Sequence, residues 1–155
     1  MAGSQSPGPD LRLFEDWMDT TKWLLERTAR FPKRLRASLT ERVESLAIGI
    51  LEDVTRAAYQ GRGRKARTLE QADDRLSRLR VLIRLGHELE VLSHGQYEEA
   101  AVRLDGAGRM LGAWLRGQVE VPGSGGRAGG GSARSGRRMG GDKIRDDATE
   151  GRADV

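Results

Sequence analysis

The chain has 155 residues, 27 of them basic and 23 acidic, for a formal net charge of +4. That length suits one domain, and the absence of cysteine excludes disulfides, thiolate nucleophiles, zinc ribbons and iron–sulfur clusters. No apolar run approaches the length of a membrane-spanning helix, and Met1–Asp10 lacks the basic and apolar blocks of a signal peptide, so a cytoplasmic protein with no membrane partner is expected.

Apart from Met1, residues 1–10 are polar or small, with Pro7 and Pro9, and read as a disordered N-terminus. Residues 11–119 carry a helical period throughout. The first segment, Leu13–Ala29, places Phe14, Trp17, Met18, Thr21, Leu24, Leu25 and Thr28 on one side and ends before Pro32, because a residue preceding proline avoids the helical region. Lys33–Tyr59 sets Leu35, Leu39, Val43, Leu46, Ile50, Val54 and Ala57 at steps of three and four. Those steps trace a helix face and cannot alternate as a strand would.

Gly61 and Gly63 break the chain next, which reads residues 62–67 as a loop. Thr68 with Gln71, and later Ser93 with Gln96, have the spacing of a capping box. Thr68–Leu92 repeats the stripe with Leu69, Ala72, Leu76, Leu79, Ile83 and Gly86. Tyr97–Leu115 supplies Tyr97, Ala101, Leu104, Gly108, Leu111 and Leu115. Four amphipathic helices with short connections predict an all-α fold, an antiparallel up-down four-helix bundle. In residues 120–155 glycine and arginine dominate and apolar side chains are scarce. Such a segment cannot offset the entropy of ordering itself and is expected to be a flexible tail.

Catalytic chemistry is absent from this pattern. The two histidines, His87 and His94, lack the Glu-x-x-His spacing of a di-iron bundle, since Arg84 and Val91 stand where glutamate is needed. Gly61-Arg-Gly63-Arg-Lys65 lacks the Gly-Lys-Ser/Thr ending of a phosphate loop and no strand precedes it. No nucleophile–base pair is found. No enzyme, metal or cofactor is therefore expected; a metal at His87, Glu88 or Glu90 is the weaker rival.

Basic residues are the informative feature, because clustered Arg is the usual footprint of phosphate binding. Arg34, Arg36 and Arg42 follow the first helix; Arg62, Arg64, Lys65 and Arg67 crowd six positions with no acidic neighbour; Arg80, Arg84 and Arg109 lie on later helices. These ten are the candidate nucleic-acid or partner contacts. Local ion pairing is the competing role: some of Arg42, Arg80, Arg84 and Arg109 would instead bridge helices to Glu44, Glu88 or Asp105.

Three blocks carry a resemblance. They are Trp23–Lys33 with Arg36, Leu39, Arg42 and Glu44; Leu79–Leu89 leading into Leu92-Ser93 and Gln96-Tyr97-Glu98; and Leu104–Leu115 with Gly108, Arg109, Gly112 and Trp114. Together they span about residues 13–118 and resemble the accessory variability determinant (Avd) proteins of diversity-generating retroelements. The resemblance implies a non-enzymatic accessory protein, a homo-oligomer in the form of a ring-like pentamer. Its partners would be the retroelement's reverse transcriptase and template-repeat RNA, in support of mutagenic cDNA synthesis. At least one of Trp17, Trp23 and Trp114 is expected at the subunit contact. The alternative is a purely structural homo-oligomeric bundle of the ribosomal-RNA intervening-sequence type, with no polymerase partner.

Overall fold

A computed structural model describes residues 9–119, with the side chains of residues 10–118. The disorder expected at residues 1–8 and in the Gly/Arg-rich tail 120–155 lies outside them. Four α-helices follow in order: α1 (Pro9–Thr28), α2 (Glu41–Ala58), α3 (Arg62–Glu88) and α4 (His94–Val119). No strand occurs among the described residues. Each helix packs on its two neighbours, α1 on α2 and α4, and α3 on α2 and α4, which is the expected antiparallel four-helix bundle. Among the described residues no helix is long and apolar enough to cross a membrane.

α1 opens two residues before the expected boundary. Pro9 occupies the first helical position, where its missing N–H and preset φ cost nothing, and Asp10 complements the positive end of the helix dipole. Read along the sequence, this proline signals a breaker; in place, it is a starter. α1 buries Leu13, Trp17 and Leu24 with Thr20, Thr21 and Thr28. The Trp17 indole N–H donates to the Ala47 carbonyl across the α1–α2 seam at 2.9 Å.

The second predicted helix is not uniform. After Pro32 come a 3₁₀ turn, Lys33–Leu35, and a π-helical turn, Arg36–Thr40, before α2 proper. Leu35, Leu39 and Val43 are all buried. Two successive steps of four overshoot a 3.6-residue turn, and the wider π turn absorbs the excess.

Helix α3 corrects the reading of residues 62–67. They are its first two turns, not a loop: Gly61, extended at φ −70° and ψ 159°, is the N-cap. Thr68 is accordingly not a cap. It is buried mid-helix, and its hydroxyl donates back to the Arg64 carbonyl (3.1 Å) and to the Gln60 side chain (2.7 Å). The Lys65 ammonium lies 5.7 Å from the centre of the Trp114 ring on α4, so these extra turns gain packing that the apolar period does not reveal. The predicted stripe of α3, from Leu69 through Ile83 to Gly86, is buried throughout.

On α4 the buried side is Ala100, Leu104, Ala107, Leu111 and Trp114. The expected face is thus rotated by one residue at Ala101, Gly108 and Leu115. The capping box of α4 is present: the Ser93 N–H donates to the Gln96 side chain at 2.9 Å, and the Gln96 N–H donates to the Ser93 hydroxyl at 3.2 Å.

Between them, α3 ends in a Schellman motif. The Glu90 N–H donates to the His87 carbonyl at 2.9 Å and the Val91 N–H to Gly86 at 3.0 Å. Glu90 carries the left-handed conformation, φ 58°, which normally belongs to glycine at this position. Glu90→Gly is expected to stabilise the bundle by about 1 kcal/mol, read as a rise in denaturation midpoint with unchanged slope.

Candidate nucleic-acid interface

The topology divides the basic residues between the two ends of the bundle. Arg34, Arg36 and Arg42 lie at the end where α1 hands over to α2, exposed to solvent. Arg42 shares a shallow apolar groove with Arg78, Leu46, Val81 and Leu82. Arg84 lies toward the same end, on the last turns of α3, and pairs with Glu88 at 3.7 Å. Arg62, Arg64 and Arg67 occupy the opposite end, all exposed. With Lys65 they surround the N-terminus of α3, which has no acidic residue in its first turn and no side-chain cap.

That arrangement runs against helix electrostatics. A helix N-terminus carries a partial positive charge and favours anions; here it carries four cations. Their mutual repulsion is relieved when a phosphate or another anion takes a place beside them.

Arg80 has a different job. It is half-buried, donates to the Leu104 carbonyl at 3.2 Å and pairs with Asp105 at 3.5 Å. It therefore latches α3 to α4, as the competing ion-pair role anticipated. Arg109 is exposed in a groove with Asp73, Arg80, Asp105, Gly108 and Arg116. Of the ten candidates, only Arg80 and Arg84 form an ion pair among the described residues. The ten do not form one site. They form a cluster at each end, with Arg80 and Arg109 between.

Two features escaped the sequence. Asp53 is fully buried and paired with Arg75 of α3, with Arg56 at 3.6 Å. Trp23 is flanked by the guanidinium groups of Arg27 and Arg103, each 5.3 Å from its ring centre. Trp17 and Trp114 are core residues, and Trp23 is only half-buried. His87 stacks on Tyr97 at 4.6 Å, a packing role at the helix boundary. Among the described residues no three His, Cys, Asp or Glu side chains are gathered to hold a metal ion.

No curated protein matches the chain. The family model described as bAvd-like matches residues 14–118, which take in all four helices but the first five residues of α1 and the last residue of α4, and cover more than half of the chain. This is the family type that the three sequence blocks resemble. The chain belongs to the bAvd-like family.

Proposed function

We propose that the protein is a non-catalytic accessory factor of a diversity-generating retroelement, binding the reverse transcriptase and template-repeat RNA to support mutagenic cDNA synthesis. Family membership supports the accessory role. The observation that carries RNA binding is the N-terminus of α3, where Arg62, Arg64, Lys65 and Arg67 stand without an ion-pair partner among the described residues. Each phosphate neutralised there releases counterions, so affinity comes from charge and falls with salt. In this reading the protein works as a cytoplasmic homopentamer, and Trp23, the one tryptophan of the described residues that is only half-buried at the edge of the core, lies at the subunit contact.

The experiment is a salt titration of template-repeat RNA binding with Arg62→Ala, Arg64→Ala and Arg67→Ala combined. Lys65 is spared because it packs on Trp114. If all three arginines reach phosphates, the log–log slope flattens by about 2, at roughly 0.7 per single-strand phosphate. Thermal stability should hold or rise, since alanine favours helix and cations leave a positive helix end. RNA affinity and slope equal to wild type would remove this cluster from the interface. Co-purification with the retroelement's reverse transcriptase tests the second partner. Light scattering tests the assembly, with a mass about five times 17.1 kDa expected.

A further inference from the structure

Seven large apolar side chains stand exposed among the described residues, and three of them share one side of α3: Val81 at 67% exposure, Leu85 at 43% and Leu89 at 40%. Arg78, Leu82, Leu85 and Leu89 follow at steps of four, three and four, a helix stripe about 17 Å long at 1.5 Å per residue. It is distinct from the core stripe, which runs through Leu76, Leu79 and Ile83. With Leu46 of α2, Val81 and Leu82 line an apolar groove between the two helices, and Glu41, Arg42 and Arg78 edge it. A second uncovered patch lies across the bundle, on the α1–α4 seam. There Trp23 is half-buried between Arg27 and Arg103, and Val102, the neighbour of Arg103 on α4, is 70% exposed.

We propose that the groove between α2 and α3 receives the α1–α4 seam of a second copy of the chain, with Trp23 and Val102 set against Leu46, Val81 and Leu85. The inference rests on the self-association reading above and names the face that meets Trp23. α1 packs on α4, and α2 on α3, so groove and seam lie on opposite sides of the bundle. Each copy can therefore use both at once, head to tail, which is the heterologous kind of contact that generates rings. A two-fold contact of groove with groove would leave both seams bare.

Height and charge fit this pairing. Trp23 lies five residues before the end of α1 and Val81 seven before the end of α3; Leu46 lies five after the start of α2 and Val102 eight after the start of α4. In an up-down bundle these are the same end. All four therefore sit about 8–12 Å below it, level with one another when parallel copies stand side by side. The groove edge offers Glu41 and Arg42, and α1 beside Trp23 offers Glu26 and Arg27. None of these four has an ion-pair partner among the described residues. Arg27 also keeps a buried Nε without a hydrogen-bond partner. Arg78 and Arg103, the remaining cations, are matched by Asp74 and Glu99. Tryptophan and arginine are the side chains that most often anchor contacts between proteins.

The test measures the mass of the full chain in solution by light scattering. Wild type is expected as an assembly, and Val81→Glu with Leu85→Glu should fall to the single-chain 17.1 kDa, since the contact cannot bury unpaired charge. Both side chains are exposed in the single copy, so helicity should hold. The chain has no cysteine, which allows a direct test of the pairing. Chains carrying Val81→Cys, co-expressed with chains carrying Val102→Cys and joined by a short bismaleimide, should give a covalent dimer of mixed composition. Neither variant alone should give one, and self-linking of either would overturn the head-to-tail pairing. A glutamate pair that still assembles, or no mixed dimer, would overturn the groove and leave self-association intact. Wild type at the single-chain mass would overturn both.

Discussion

Arg75→Ala is expected to cost about 3–5 kcal/mol of stability, because it leaves the fully buried Asp53 carboxylate without its principal counter-charge. The pair links α2 to α3, and the same guanidinium donates to the Gly49 carbonyl at 3.3 Å. Arg56, 3.6 Å from the other carboxylate oxygen and half-exposed, cannot replace it. At roughly 4 °C per kcal/mol for a domain of this size, the melting temperature should fall by about 15 °C. Asp53→Leu combined with Arg75→Met should recover most of that loss, since an apolar pair of similar volume often matches a buried ion pair. A single Arg75→Ala variant that melts within 3 °C of wild type would show that Asp53 is solvated on its own.

Trp17→Ala is the second large effect. The indole is wholly buried in the centre of the bundle, and its removal creates a cavity worth about 3–5 kcal/mol. It also strips the Ala47 carbonyl of its 2.9 Å donor. Trp17→Phe separates the two contributions: most of the volume remains, and the loss should shrink to about 1–2 kcal/mol, the lost indole hydrogen bond plus the smaller ring, since the Ala47 carbonyl keeps its bond within α2. Denaturant unfolding of both variants reads the difference. Equal losses would mean that the hydrogen bond, and not the packing, dominates at this position.

The bundle was legible because its apolar side chains are large and regularly spaced. On α3, Leu69, Leu76, Leu79 and Ile83 define the buried face by themselves. On α4 the same reasoning turned the helix by one residue, since Ala100, Ala101, Ala107 and Gly108 offer little contrast between core and rim. Gly61 and Gly63 both read as loop punctuation in the sequence, yet only Gly61 stands outside the helix, as its N-cap; Gly63 lies within α3. What holds the first turns of α3 is the contact of Lys65 with Trp114, 49 positions away, and no local pattern announces it.

The candidate interface was legible as charge and not as geometry. Arg62, Arg64 and Arg67 were found because they stand without acidic neighbours, and the structure keeps them exposed. Arg80 is a candidate through its place in the second resemblance block, although it serves partly as a latch to Leu104 and Asp105. Charge clustering alone does not single out Arg116, which lines the same groove as Arg80 and Arg109. Its place seven residues after Arg109, two helical turns on along the same side of α4, is the signal that could have included it. Asp53 could have been suspected from its place beside Val54 in the α2 stripe, where a carboxylate needs a partner to be buried.

The π turn at Arg36–Thr40 acts as a phase setting between two parts of the chain. It holds one residue more than an α turn would, and the residues before it, Arg34 among them, depend on that extra residue for the direction they face. Removing the exposed Ser38 and closing the turn to an α-helix would swing everything upstream by about 100° around the axis of α2, one residue's share of a 3.6-residue turn. Leu35 would leave the core, and the cations at that end would point to a different side of the bundle. Chain length at this one turn, more than the identity of any basic residue in it, decides what that end of the molecule can touch.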